Sequence, residues 1–179
     1  MRTFIAIPIP QAAMEEVTGL QMQLRKIEPA LSWAQPQGFH LTLLFLGEKS
    51  PRDVNRIINT LDNLSWPAAF KISLDKLGLF GSIERPKVLW LGLGQGEEQV
   101  RSLGGLVRRA LNAEEDFAAH LTLAHFRERD ATRLAGSLGP LDKSICLSVE
   151  RVVLFESKLA AGPPRYIPIN TWKLEGAEL

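Results

Sequence analysis

Cysteine, histidine and tyrosine are scarce in this 179-residue chain, and each shortage narrows what the protein can be. A single cysteine, Cys146, closes no intramolecular disulfide and builds no multi-thiolate zinc site, so it reads as a core thiol in a strand of a protein kept in a reducing cytoplasm. Long apolar runs are missing too. The apolar stretch at residues 4–7 is too short for a secretory signal and stops at Pro8, and nothing approaches the roughly 20 apolar residues of a membrane span. No charge dominates: Lys and Arg number 21 against 20 for Asp and Glu, a net charge of +1, so there is no global field to coat a long duplex and any nucleic-acid contact is expected to be small and local. At 45% apolar and 23% charged residues the chain is neither disordered nor fibrous, and its length suits one large domain or two small lobes.

What is present reads as strands alternating with helices. Residues 3–9 are β-rich, and Pro10 opens a helix from Gln11 to about Ile27 whose Met14, Val17, Leu20, Leu24 and Ile27 recur at helical spacing. Ser32 and Trp33 lead through Pro36 and Gly38 into a strand over 39–46. Ser50 and Pro51 start a second helix with Val54, Ile57, Ile58 and Leu61 on one face. A strand over 70–77 is followed by Gly78 and Gly81, which predict a turn region; further strands are expected at 88–93, 119–124, 145–154 and 166–174, and helices at 97–111 and 132–138. The class is α+β with largely antiparallel sheets, and no low-complexity linker divides the chain.

Two of the three histidines open the same tetrapeptide, His40-Leu41-Thr42-Leu43 and His120-Leu121-Thr122-Leu123. The copies sit 80 residues apart about a midpoint near Phe80 and Gly81, which predicts two structurally similar halves with a site between them. In a strand each copy turns His and Thr to one face and its leucines to the other. A free imidazole titrates near ~6.5, so one of a facing pair can be neutral while the other is charged. In-line displacement at a phosphodiester needs that combination: a base for the attacking oxygen, an acid for the departing one, and hydroxyl donors for the non-bridging oxygens. A structural role is the ordinary reading of a lone His-x-Thr, and duplication in a histidine-poor chain weakens it. A metal site built from His40, His120 and His125 lacks any tight ligand spacing.

On these residues the chain resembles the two-histidine (2H) phosphoesterase superfamily, and within it the RNA 2′,3′-cyclic phosphodiesterases, also called 2′-5′ RNA ligases. Similar pieces run through nearly the whole chain: residues 2–7, Trp33, 39–48, 85–92, 117–123, and a tail from Leu154 through Gly162 to Tyr166 and Trp172. The resemblance implies one bilobal, pseudo-symmetric domain over residues 1–179, made of two interleaved lobes whose antiparallel sheets line a central groove with helices outside. It implies metal-independent, cofactor-free opening of a terminal 2′,3′-cyclic phosphate to a 2′-phosphate, with weak 2′-5′ ligation as a side activity. His40 would protonate the departing 3′ oxygen, His120 would activate water, and Thr42 and Thr122 would hold the phosphate. RNA 3′ ends or nucleotides carrying a cyclic phosphate are the expected partners of a monomer that needs no protein partner and no membrane. A nucleotide- or RNA-end-binding module with little turnover, or an enzyme for another small cyclic nucleotide, are the alternatives. Two positions depart from the family pattern: Ala119 stands where proline commonly precedes the second histidine, and His125 where an arginine is usual. In the family that arginine and an aromatic, here Phe45, sandwich the terminal base. Phe45 has the opposite strand parity to His40, so a regular strand would bury it, and stacking and burial both stay open. Arg85, Lys87, Arg127 and Arg129 either steer RNA ends or simply face solvent.

Overall fold

The apolar alternation of the N-terminus sets the first layer. Ile5 and Ile7 point into the core and Phe4, Ala6 and Pro8 to the opposite face, which fixes strand β1 (Arg2–Pro8) as a central strand covered on both sides. The computed structural model describes residues 1–114, 118–127, 130–158 and 164–177; Phe117, Arg129 and residues 159–163, including Gly162, lie outside the described residues. After β1 come α1 (Gln11–Ile27), β2 (Ser32–Trp33), a 3-10 turn (Pro36–Gly38), β3 (His40–Glu48), α2 (Pro51–Asp62), β4 (Phe70–Gly81), β5 (Pro86–Leu93), α3 (Glu97–Ala110), β6 (His120–His125), a 3-10 segment (Thr132–Ser137), β7 (Gly139–Val149), β8 (Arg151–Lys158) and β9 (Arg165–Lys173). Helix α2 starts where Ser50 and Pro51 predict, through a reciprocal capping box between Ser50 and Asp53.

Two sheets result, both antiparallel in their strand pairings: one in the order β3-β1-β8-β9, the other β2-β6-β5-β4-β7. With β2 set aside as an extra edge, the second sheet repeats the first strand for strand. The correspondence holds at the level of single residues, because His40 lies opposite Pro8, the last residue of β1, and His120 lies opposite Gly92 near the end of β5. The edges β3 and β6 approach each other, so the two histidine strands line one groove.

The helices pack outside and cross over. Helix α1 leaves the first sheet but packs against β7 of the second, where Lys143 Nζ meets Glu16 Oε2 at 3.1 Å. Its buried Gln21 donates from Nε2 to the carbonyls of Ala34 at 2.9 Å and Leu123 at 3.1 Å. Helix α3 leaves the second sheet and packs on β3 of the first.

Four expectations change. Gly78 is no turn residue: β4 runs on to Gly81, and Gly78 sits under the indole of Trp90, where a Cβ would come within 2.3 Å of the ring. The single strand expected over 145–154 is two strands in different sheets, parted at Glu150. The midpoint at Phe80 and Gly81 falls at the end of β4, inside the second sheet, because the lobes are interleaved rather than consecutive. Cys146 is exposed: Ile145, Leu147 and Val149 take the buried face of β7 and the two-residue period puts the thiol outside.

Candidate active site

Each histidine opens its strand immediately after an irregular approach, and the local backbone treats the two alike. The Nδ1–H of His40 donates to the carbonyl of Gly38 at 2.7 Å, and that of His120 to the carbonyl of Ala118 at 2.7 Å. A carbonyl can only accept, so the contact selects the Nδ1–H tautomer and leaves Nε2 of each ring as the nitrogen able to take up a proton. Aromatic rings back each imidazole: Phe4 and Tyr166 lie 4.8 and 5.1 Å from His40, and Phe80 lies 4.7 Å from His120.

Both imidazoles are held below the ordinary histidine value, chiefly by burial and against the pull of their backbone carbonyls. The charge of His120 lowers His40 further, so the two rings sit close enough to feel each other's protonation. Thr42 is buried and Thr122 half-buried, beside their histidines on the same faces. No hydrogen bond from a described residue engages either hydroxyl, whereas those of Thr18 and Thr60 are spent on helix carbonyls. Each strand thus carries an imidazole and an uncommitted hydroxyl on one face, and the two strands are in contact. Among the described residues no three His, Cys, Asp or Glu side chains converge as metal ligands would.

The fate of Phe45 turns on a bulge. Along the ladder Pro8, Ile7 and Ala6 face His40, Leu41 and Thr42, but the next pair is Ile5 with Leu44, so Leu43 is an extra residue in β3. Phe45 then falls opposite Phe4 and rejoins the face of His40 and Thr42, where it is 60% exposed, so the burial expected of a regular strand does not occur. The second sheet repeats the device: Leu123 is the extra residue, and His125 falls opposite Val88 on the face of His120 and Thr122, exposed to solvent. Phe45 borders a cavity of about 490 Å³ lined also by Lys49, Asp53, Arg56 and Asn112, while His125 lies beside Ser32 of β2, and the two side chains make no ring contact with each other. Arg85, Lys87 and Arg127 are exposed where the β4–β5 hairpin tip meets the segment after β6, tied by the Phe126 N–H donating to Lys87 O at 3.0 Å. Reading the sequence missed the backing rings Phe4, Phe80 and Tyr166 as parts of the site; the one signal was that Tyr166 is the single tyrosine in the chain.

Residues 7–90 match the family model described as LigT-like phosphoesterase. Among curated proteins, the RNA 2′,3′-cyclic phosphodiesterase of Methanothermobacter thermautotrophicus is 27% identical over 97% of this chain and 99% of its own length. The protein of the same name from Aquifex aeolicus is 28% identical over 80% of this chain and 82% of its own. Among solved structures, E. coli LigT complexed with 3′-AMP superposes with a TM-score of 0.81 at 26% identity, covering 97% of this chain and 98% of that one. Along its length this chain is similar to the LigT-like phosphoesterases. TT0787 of Thermus thermophilus shares the fold of this chain at a TM-score of 0.81 and 25% identity, over 99% of this chain and 100% of that one. The family model ends within β5, so the second histidine motif is tied to the LigT-like family by the full-length relatives and by the pairing of β5 with β6.

Proposed function

We propose that this protein is a LigT-like phosphoesterase that hydrolyses the 2′,3′-cyclic phosphate at an RNA 3′ end to a 2′-phosphate, using His40 and His120 as its proton-transfer pair. The observation that carries the reading is the matched placement of two imidazoles, each with Nδ1 tied to a carbonyl and Nε2 free, on neighbouring strands of one groove. Relatives named RNA 2′,3′-cyclic phosphodiesterase supply the substrate class. His120, the less enclosed ring, activates water, and His40 hands its proton to the departing 3′ oxygen. Burial suits His40 to that role, because an imidazolium taken out of water is a stronger acid, and the phosphodiester anion supplies the charge that loads it. Thr42 and Thr122 donate to the non-bridging oxygens as negative charge builds there. Both proton transfers are covered by side chains, so activity is expected to survive chelators. A 5′-hydroxyl taking the place of water would give weak 2′-5′ ligation by the same steps.

The deciding experiment is product analysis with an oligonucleotide ending in 2′,3′-cyclic phosphate. A 2′-phosphate product from the wild type, with a loss of ~10²–10⁴-fold in His40→Ala and in His120→Ala, supports the pair. Full activity in either variant removes it, and tight nucleotide binding without turnover in the wild type would make the groove a binding site only.

A further inference from the structure

Each imidazole is wedged by a ring standing edge-on to it, and the two wedges arrive by different routes. Phe80 meets His120 at 4.7 Å and 89°, from a strand two places away in the second sheet. Tyr166 meets His40 at 5.1 Å and 84°, but from β9, the far edge of the first sheet and three places from β3. Strands about 4.8 Å apart in a flat sheet would leave β9 roughly 14 Å from β3. The first sheet therefore curls until its outer strand reaches back to the turn ahead of β3. Phe4 fills the inside of that curl, 4.8 Å from His40 and 5.1 Å from Tyr166. The phenol ring also rests on Gly38, where a Cβ would come 3.1 Å from Cε2, and Gly38 supplies the carbonyl that takes the Nδ1–H of His40. One ring thus touches both the imidazole and the peptide that fixes its tautomer.

We propose that Tyr166 is a positioning residue for His40: its ring, by packing and not through its hydroxyl, holds the imidazole in the Nδ1–H tautomer with Nε2 presented to the groove. The inference rests on the reading of His40 as half of the proton-transfer pair. Phe80, which has no hydroxyl, serves His120 in the corresponding place, so a hydroxyl is not what the position requires. Tyr166 is half-buried and makes no hydrogen bond to a described residue, so its contact with His40 is one of ring surfaces. The ionisable groups that reach His40 are His120 from β6 and Tyr166 itself from β9; β1 presents Phe4 and Pro8 there, and the Pro36–Gly38 turn carries no charge. Removing the ring opens His40 to water, which weakens the burial that disfavours its charged form.

The test compares Tyr166→Phe and Tyr166→Leu in the hydrolysis of a 2′,3′-cyclic nucleotide, with imidazole titrations followed by NMR, which three histidines leave resolvable. Tyr166→Phe is expected to match the wild type in kcat and in both titrations. Tyr166→Leu is expected to lower kcat by ~10–10²-fold with little change in KM, the signature of a displaced reacting group. The His40 titration should move up towards ~6.5 in that variant while His120 stays in place. An unchanged kcat and an unchanged His40 titration in Tyr166→Leu would overturn the proposal. So would a Tyr166→Phe variant as impaired as Tyr166→Leu, which would make the hydroxyl a direct contact to substrate. Should Tyr166→Leu not fold, Gly38→Ala obliges the same ring to give by a few tenths of an ångström and is expected to move the His40 titration the same way with a smaller fall in kcat; no movement in either would overturn the proposal. A silent Tyr166→Leu beside an inactive His40→Ala sinks only the positioning role, whereas an active His40→Ala sinks the proposed function itself.

Discussion

His40 and His120 occupy equivalent ladder positions, yet among the described residues His40 is enclosed by the rings of Phe4 and Tyr166 and His120 by that of Phe80. Since both are held below the ordinary ~6.5, both are neutral in the free protein at neutral pH, and the singly charged pair forms only on the acid side. The kcat/KM profile for a 2′,3′-cyclic nucleotide is therefore expected to be a bell with its maximum below about pH 7. A rate independent of pH from acid to alkali would count against the pair. The same shifts couple to folding. The unfolded chain takes up protons near ~6.5 that the folded chain resists, so this contribution to stability is complete above that pH and is lost as the pH falls through the lowered folded values. Melting temperature should accordingly drop as pH is lowered from about 8 to 5, and less so in His40→Ala. At the threonines, Thr42→Val or Thr122→Val keeps the shape and removes a donor, and kcat is expected to fall on the order of 10²-fold. A full-rate Thr122→Val would leave the phosphate to other groups.

At the scale of elements, the bulges at Leu43 and Leu123 decide which residues face the groove. Strand parity read from the sequence would bury Phe45, and parity is sound until the ladder gains a residue. Nothing in the apolar run Leu41, Leu43, Leu44 marks which residue is extra, since all three are buried and any one of them fits the core. The pairing with β1 is what selects Leu43. With Phe45 on the groove face and 60% exposed, Phe45→Ala is expected to raise KM for a nucleotide by roughly tenfold while leaving kcat near the wild type, as loss of a stacking surface would. Equal KM values for the two proteins would assign Phe45 to the cavity wall alone. Helix α2 was legible for the opposite reason: Ser50, Pro51 and Asp53 form its start within four residues, with no distant partner required.

At the scale of the whole molecule, the chain leaves the first sheet to add β2 to the second, returns for β3, builds β4 to β7 of the second and comes back to the first at Glu150, while α1 and α3 each pack against the sheet they did not leave. The first sheet is not built from one continuous segment and the helices tie each sheet to the other, so we expect the lobes to unfold together. Tryptophan fluorescence and far-UV circular dichroism should give coincident thermal transitions, and two separated transitions would refute this. Gln21 is one of the ties, reaching from α1 to carbonyls ahead of β3 and within β6. Gln21→Met keeps the volume and strands the Ala34 carbonyl, at an expected cost of about 1–3 kcal/mol in chemical denaturation.

The duplicated His-Leu-Thr-Leu tetrapeptide, the helical periodicities and the caps were determined by the sequence alone, because strand parity, 3.6-residue spacing and capping chemistry act between residues a few positions apart. The α+β class and the shared face of His and Thr within each copy follow from those local rules. Only the tertiary structure decided that Phe45 and His125 return to the groove face, that Cys146 points outward, and that Tyr166 arrives at His40 from 126 residues away. Each of these depends on ladder register or sheet curl, which are settled by which strands meet and not by the residues within any one of them.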